Sequence, residues 1–166
     1  LEAGNLYVNN SKITLEGNVE SRINVRGGME LLGGGYVESL SRYISPNFSK
    51  YKNPVDIEIS SNQLTLAPGS FIRTVNHEDD NSGLKAISNL NIQAGDVLLD
   101  DAVIETRTSN PASAGFLNLI ATNLELNNAS RMGSYNFSGA QSGSVTIESD
   151  RILMSGLSAI ESGLTQ

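Results

Sequence analysis

The sequence of 166 residues has no cysteine and no tryptophan, and its one histidine is His77. Without cysteine, disulfide scaffolds, thiolate zinc sites and cysteine nucleophiles are all excluded. A single histidine leaves little material for acid–base catalysis or for a histidine metal site. Apolar runs are short as well, and none approaches the roughly 18 residues of a helical membrane span. We therefore expect a chain with no cofactor and no transmembrane helix.

Charged residues are also scarce, at 17% against about 25% in an average soluble domain. Lys and Arg total 11 and Asp and Glu total 18, which gives a net charge of −7 at pH 7. The basic residues form no stripe, so the electrostatic attraction on which nucleic-acid binding depends is missing. We expect no nucleic-acid partner.

Serine, asparagine and glycine are the abundant small residues of this chain. Serine (22), asparagine (18) and glycine (16) together make up about a third of the chain. All three weaken helices or compete with them, so an α-helical fold is not expected. Leucine (19) and isoleucine (13) are plentiful, so the chain has enough apolar material to build a core.

Apolar residues separated by one position recur along the chain in a fixed order. The first set of pairs is Leu6/Val8, Ile23/Val25, Ile57/Ile59, Leu90/Ile92, Leu117/Leu119 and Val145/Ile147. The second set, after a short turn, is Ile13/Leu15, Met29/Leu31, Leu64/Leu66, Val97/Leu99, Leu124/Leu126 and Ile152/Met154. A third signal ends in Ser or Thr: Val37/Ser39, Ile72/Thr74, Ile104/Thr106, Met132/Ser134 and Ile160/Ser162. Alternation with period two indicates β-strands with one buried face, so each repeat is predicted to hold three short strands.

These repeats begin near residues 6, 23, 57, 90, 117 and 145, and the last two intervals are 27 and 28 residues. Three strands in about 27 residues are typical of a parallel β-helix, in which each coil stacks on the next about 4.8 Å away. We predict an all-β fold, a right-handed parallel β-helix of about six coils that spans residues 1–166 as one segment. The handedness follows from the general rule for crossovers between parallel strands.

Residues between and beside the pairs fit this register. The turn between the first two strands has a small residue at its second position, as at Ser61, Ala94 and Ala121. We expect these side chains to point inward at a corner, where a large one would not fit. Glu38 and Glu105 fall at outward positions on either side of Arg73, an order that places a cation between two carboxylates.

Residues 55–162 resemble the repeats of filamentous-haemagglutinin-like exoproteins. The matching segments are VDIEISSNQLTLAPGSFIRT, LNIQAGDVLLDDAVIETRT, LNLIATNLELNNASRMGS and VTIESDRILMSGLSAIES. The resemblance implies a structural or adhesive segment of a secreted bacterial surface protein, an adhesin or an extracellular fibre that leaves the cell by two-partner secretion. It also implies an outer-membrane secretion partner, which would contact a region outside this chain.

The same resemblance implies a glycan or protein on a host or neighbouring cell as the binding partner. The family's N-terminal secretion signature does not occur here, and the chain begins at Leu1 without a signal peptide. We therefore expect an internal or C-terminal segment of a longer, extracellular chain.

A polysaccharide-binding or polysaccharide-degrading protein is the alternative, because lyases and glycosidases also use parallel β-helices. Their sites need carboxylates on adjacent coils, often with Ca²⁺. Asp100 and Asp101 are candidates, but the equivalent positions of neighbouring repeats are not acidic. The run from Glu78 to Asn81 is either a loose Ca²⁺ site or a solvated acidic loop, and its spacing matches no EF-hand array. We expect no catalysis and no metal site.

Each long insertion follows the third strand of a repeat, at about residues 40–56, 75–89, 107–116 and 135–144. Insertions that leave successive coils at the same corner line one edge of the rod and often form a binding face. Five of the nine aromatic residues lie in these loops. The possible partner-binding loop residues are Arg42, Tyr43, Tyr51, Tyr135 and Phe137. The same aromatic side chains could instead pin the loops onto the rod.

Neither the first nor the last repeat carries a polar or helical cap. Solenoids normally need such caps, because an open coil exposes unpaired backbone groups and apolar core. We expect both ends to be covered by further coils of a longer chain, or by end-to-end association with another copy.

Overall fold

The computed structural model describes residues 1–15, 21–41, 56–76, 88–109, 114–138 and 141–164. These residues are all-β, as predicted, with parallel strands in two sheets and no helix. The strands are β1 (Glu2–Ala3), β2 (Leu6–Asn9), β3 (Lys12–Leu15), β4 (Ser21–Leu32), β5 (Tyr36–Ser41), β6 (Ile57–Leu66), β7 (Phe71–Asn76), β8 (Leu90–Asp100), β9 (Val103–Thr108), β10 (Leu117–Asn127), β11 (Arg131–Asn136), β12 (Val145–Met154) and β13 (Ala159–Leu164). None of the described residues belongs to a helix long and apolar enough to span a membrane.

Successive strands alternate between the two sheets from β3 onward. The seven-stranded sheet has the order β1-β4-β6-β8-β10-β12, with β2 also beside β4. The six-stranded sheet has the order β13-β11-β9-β7-β5-β3. Because two strands that are neighbours in a sheet always have a strand of the other sheet between them in sequence, every ladder joins one repeat to the next.

The four later repeats pair in the predicted register. Leu90 lies beside Ile57 on one side and Leu117 on the other, and Leu117 lies beside Val145. In the six-stranded sheet the predicted apolar positions also form one column: Val37, Ile72, Ile104, Met132 and Ile160. Period-two alternation therefore identified the residues that stack on one another in this part of the chain.

The first and second strands predicted for each of these repeats are one continuous strand in the structure. In β6, Asn62 and Gln63 are both exposed between the buried residues Ser61 and Leu64. Pairing with β8 continues on both sides of Asn62. A repeat therefore contains two strands rather than three, and the inward-facing pattern shifts by one residue inside the long strand.

The small residues at this shift point inward, as predicted. Ser61, Ala94 and Ala121 form one column and are only 7–8% exposed. The inward-facing pattern shifts by one residue directly after this column, because the next two residues of β6 are both exposed.

The N-terminal strands pair differently from the prediction. Leu6 belongs to the first set of predicted pairs, but it lies beside Met29, which belongs to the second set. Ile13 correspondingly lies beside Val37, in the position of the third strand. The place beside the start of β4 is taken by β1.

The second repeat is shifted too, because Ile23 lies beside Ile59 instead of Ile57. A register irregularity between Val25 and Gly28 absorbs the difference before the ladder continues. A slip of two residues keeps every side chain on its original face, whereas a slip of one would reverse them all. Hydrophobic alternation alone therefore does not distinguish the two registers. The predicted alignment was wrong for the first repeat and for Ile23 and Val25, whereas Met29 and Leu31 lie beside Leu64 and Leu66 as predicted.

Between the sheets, the inward columns form a single apolar core. Its largest fully buried side chains are Ile23, Met29, Leu31, Ile57, Leu64, Leu66, Ile72, Leu90, Leu99, Ile104, Leu117 and Leu119. Burial is lost at the last strand of the seven-stranded sheet, where Ile152 and Met154 are exposed. The opposite, outward faces of the two sheets carry the polar and aromatic residues.

Candidate functional site

The outward face of the six-stranded sheet carries a groove of about 420 Å³. It is lined by Phe71, Arg73, Val103, Glu105, Arg107, Arg131, Tyr135 and Phe137, which we call the arginine–aromatic face. Alternation builds this face, because the intervening residues Ile72, Ile104 and Met132 point into the core.

One side of the groove is a stack of rings and a guanidinium. Tyr36 and Phe71 are adjacent on β5 and β7, with ring centroids 4.4 Å apart and planes 15° from parallel. The guanidinium of Arg73 lies 4.2 Å from the centroid of the Phe71 ring. Cross-strand aromatic pairs and cation–π contacts each contribute about 0.5–1 kcal/mol at such sites, so these contacts hold the three side chains in place.

The predicted order of a cation between two carboxylates is present, but Arg73 forms an ion pair with only one of the two glutamates. Arg73 lies between Glu38 and Glu105 in the register, and it forms an ion pair with Glu38. Glu105 is instead paired with Arg107, whose Nη1 is 3.3 Å from its Oε1. Both carboxylates are buried although they point away from the core. The side chains around them therefore cover the carboxylates on the outer face.

Burial raises the pKa of the Glu105 carboxyl above its usual value. The nearby guanidinium groups of Arg107 and Arg73 act in the opposite direction but do not cancel the effect. Arg107 and Arg73 therefore favour the charged form of this carboxyl, against the larger effect of its burial.

Tyr135 lies flat across the outer surface of the sheet. Its ring occupies the space above Gly133, where an added Cβ would lie 2.6 Å from Cε2 and nearer still to Cζ and Oη. Its hydroxyl donates a 3.0 Å hydrogen bond to Oε1 of Glu161 on the neighbouring strand. Burial, followed by this hydrogen bond to a carboxylate, raises the pKa of Tyr135 well above its usual range. The phenol is therefore a neutral, structural side chain at physiological pH.

Phe137 is the accessible aromatic residue of the groove. It is 43% exposed, and the guanidinium of Arg107 lies 4.8 Å from its ring centroid. Its backbone N–H donates a 2.9 Å hydrogen bond to the carbonyl of Thr108 on the neighbouring strand. An exposed ring beside a planar cation offers a surface for stacking and for charged hydrogen bonds, and the exposed Arg131 at the start of β11 adds a second guanidinium to the groove.

No family model, curated protein or solved structure matches this chain. The resemblance to filamentous-haemagglutinin-like exoproteins therefore stays a prediction from the repeat.

Two of the predicted partner-binding residues, Tyr135 and Phe137, meet in the arginine–aromatic face. Tyr135 lies in β11 rather than in a loop, and it is buried. The other three, Arg42, Tyr43 and Tyr51, lie outside the described residues, as do His77 and the acidic run from Glu78 to Asn81. All four predicted insertions nevertheless follow the carboxyl ends of adjacent strands, since β5, β7, β9 and β11 are neighbours in one sheet.

Sequence reasoning missed Phe71, Arg107 and Arg131 as members of the face. The sequence did indicate these residues. Each one is an outward-facing residue of a strand whose inward-facing apolar residue was predicted. Extending the alternation from Arg73 to all outward positions would have assembled most of the groove.

A second groove, of about 550 Å³, lies on the outward face of the seven-stranded sheet. Most of the residues that line it are polar, and two of them form an amide ladder in which Asn118 Nδ2 donates to Asn91 Oδ1 at 3.0 Å. Arg22 and Glu58 form an ion pair of 2.5 Å at one end. Such a ladder stabilises neighbouring strands through side-chain hydrogen bonds, which is a sufficient role for these residues.

The candidate catalytic aspartates lie at the end of β8 and in the turn after it, and neither lines the two grooves described above. Asp100 Oδ1 accepts a 2.6 Å hydrogen bond from Asn128 Nδ2, and its register neighbour on β10 is Asn127. Asp101 has φ of 45°, a left-handed conformation that suits a tight turn. Across the described ranges, no group of three or more His, Asp or Glu side chains is placed to hold a metal ion.

Proposed function

We propose that this chain is a segment of a right-handed parallel β-helix of about six coils, each coil being one repeat. The observation that carries the proposal is the alternation of successive strands between two parallel sheets, with every ladder joining residues one repeat apart. The two halves of each long strand and the following short strand would form the three sides of a coil. Right-handedness follows from the general preference of crossovers between parallel strands.

Its role in this proposal is structural and adhesive, as part of a secreted bacterial surface protein or extracellular fibre. The arginine–aromatic face is the proposed contact surface for a glycan or protein on a host or neighbouring cell. The exposed Phe137 ring supplies a stacking platform, Arg107 supplies a planar donor beside the ring, and Arg131 supplies another elsewhere in the groove. Export through an outer-membrane partner is the corresponding proposal for its route to the cell surface.

We propose this role in preference to polysaccharide cleavage because the acidic side chains in and beside the arginine–aromatic face are already engaged. Glu38 is paired with Arg73, Glu105 with Arg107, and Glu161 accepts the Tyr135 hydroxyl. A general acid or base must be free to reach the proton that it transfers.

A binding assay on glycan arrays and cultured cells tests the adhesive role. We expect wild-type binding to fall at least about tenfold in the double variant Phe137→Ala/Arg131→Ala, the size of effect produced by losing a central aromatic and arginine contact. Ile120→Ala is the matched control, because Ile120 is 50% exposed on the other sheet. Absence of binding to every glycan and cell type would refute adhesion, and release of unsaturated sugars from a polysaccharide panel would favour the lyase alternative.

A further inference from the structure

Two groups of side chains on the arginine–aromatic face have the same composition, a carboxylate, a guanidinium and an aromatic ring. In the first group, Arg73 forms an ion pair with Glu38 and lies 4.2 Å from the centroid of the Phe71 ring. That ring also stacks on Tyr36, which gives it a second aromatic contact. The position of the Phe71 ring therefore does not depend on the cation alone.

The second group joins the Arg107 guanidinium to the Glu105 carboxylate and to the Phe137 ring. Nη1 of Arg107 lies 3.3 Å from Oε1 of Glu105, and its guanidinium carbon lies 4.8 Å from the ring centroid. Phe137 is 43% exposed and directly follows β11, whereas Arg107 belongs to the neighbouring strand β9. One guanidinium therefore links a carboxylate to the accessible ring of the face.

Glu105 is enclosed on several sides, although its side chain points away from the core. Arg73 is its neighbour on β7, and Gly133 is its neighbour on β11. The Tyr135 ring covers Gly133, so it lies beside the Glu105 carboxyl. With Arg107 two residues further along β9, these groups leave Glu105 only 8% exposed. A buried carboxylate depends on fixed cations rather than on water, so its charge and the position of its partner are coupled.

The charged and titratable groups around Glu105 act on its carboxyl in both directions. Burial raises its pKa, and the guanidinium groups of Arg107 and Arg73 oppose this rise. A guanidinium stays protonated at every pH at which proteins fold, so protonation of the carboxyl is the step that removes the ion pair. Further out on the same face lie Tyr36, Glu38, Arg131, Tyr135 and Glu161.

We propose that Glu105 is a positioning residue of the arginine–aromatic face: its carboxylate holds the Arg107 guanidinium against the Phe137 ring, and its protonation releases that guanidinium. The face then has two forms, one on each side of the pH at which this carboxyl titrates. Because burial raises the pKa of Glu105, the change falls above the ordinary glutamate value of about 4.3. The consequence for adhesion rests on the proposed function, whereas the positioning is a property of the free chain.

Nuclear magnetic resonance of the labelled chain measures the positioning without any ligand. The chemical shift of the Glu105 carboxyl carbon reports its charge, and the ring-current shift of the Arg107 side-chain protons reports their contact with Phe137. As the pH is lowered, we expect the ring-current shift to disappear with the same midpoint as the carboxyl titration. Persistence of this shift after the carboxyl has protonated would overturn the proposal.

Two glutamine variants separate Glu105 from the general charge of the face. Glu105→Gln removes the charge and keeps the size of the side chain, so its Arg107 protons should lose most of the ring-current shift at every pH. Glu161→Gln is the matched control, because it removes one charge from the same column of the sheet and glutamine still accepts the Tyr135 hydroxyl. It should keep the wild-type shift at neutral pH. An equal loss in both variants would show that net charge positions the guanidinium, which contradicts the proposal.

The binding assay on glycan arrays and cultured cells separates this inference from the proposed function. Wild-type affinity should fall about fivefold as Glu105 protonates, and Glu105→Gln should bind at the weaker level throughout, with no such fall. Unchanged affinity while the guanidinium is released would overturn the consequence for adhesion. If the chain binds no glycan or cell but Arg107 is released as expected, the adhesive role is refuted and the positioning by Glu105 is confirmed.

Discussion

Gly133 makes room for the Tyr135 ring, and filling that space is the sharpest test of how the outer face is packed. A methyl group at position 133 would overlap the ring, so in Gly133→Ala the ring has to move. The displaced ring would lose its burial and its hydrogen bond to Glu161. Overpacking typically costs about 1–3 kcal/mol, and we expect Gly133→Ala to lower the free energy of unfolding by that amount.

Urea unfolding monitored by circular dichroism measures this change, and a double-mutant cycle assigns its cause. In a Tyr135→Ala background the obstructing ring is absent, so Gly133→Ala should be neutral within about 0.5 kcal/mol. Glycine is unfavourable in a strand because of its backbone entropy. A small increase in the free energy of unfolding of the Tyr135→Ala background on adding Gly133→Ala would therefore also agree with the steric explanation. An undiminished loss of stability in the Tyr135→Ala background would refute the steric explanation.

The same variant has a signature at high pH. The raised pKa of Tyr135 means that the folded state favours the neutral phenol. Its contribution to stability is complete below the ordinary tyrosine pKa of about 10 and is lost as the pH rises above it. Wild-type stability should therefore fall more steeply above pH 10 than that of Tyr135→Phe. In Gly133→Ala, where the ring is displaced, the slope should approach that of Tyr135→Phe.

Three further outcomes are expected from the core and the outer face. Leu126→Ala should lower the free energy of unfolding by about 2–5 kcal/mol, whereas Glu125→Ala, at the neighbouring outward position, should lower it by under about 0.5 kcal/mol. Equal losses in urea unfolding would mean that the inward and outward faces are assigned wrongly. Ser61→Ala should stabilise the fold by up to about 1 kcal/mol, because the buried Ser61 hydroxyl has no hydrogen-bond partner among the described residues and the equivalent Ala94 fits the same corner. A loss of stability would show that the hydroxyl has a partner elsewhere in the chain. The raised pKa of Glu105 means that the folded state favours the protonated carboxyl. This contribution to stability is present below the ordinary glutamate pKa of about 4.3 and is lost as the pH rises through the pKa of the folded state. Glu105→Gln should therefore flatten this part of the stability–pH curve, and an unchanged curve would count against burial as the cause.

The sequence was sufficient to predict strand pairing where the repeats are regular. From Ile57 onward, apolar residues and small corner residues recur at matching positions, so a single register satisfies both. In the first two repeats the spacing is irregular, and a shift by two residues preserves the alternation while it changes every partner. Local hydrophobicity carries no information about such a shift.

The candidate site was predictable only in part, for a related reason. The alternation indicates which residues point outward, and so it placed Arg73 between two carboxylates. It does not say how far an outward side chain will reach across the sheet. Whether Arg107 pairs with Glu105 or with solvent, and whether the Tyr135 ring lies over Gly133 or away from it, depends on three-dimensional packing.

The distance in sequence between strand partners has a consequence for how this chain folds. Side chains that hydrogen-bond across adjacent strands are 27 residues apart for Asn118 and Asn91 and 36 apart for Arg22 and Glu58. The first pair of strands to form must therefore meet the entropy cost of closing a long loop before further strand pairing adds stability. This cost makes nucleation slow. Once two repeats are stacked, each further repeat adds to an existing template. Refolding should begin slowly and then proceed repeat by repeat, as in a one-dimensional lattice.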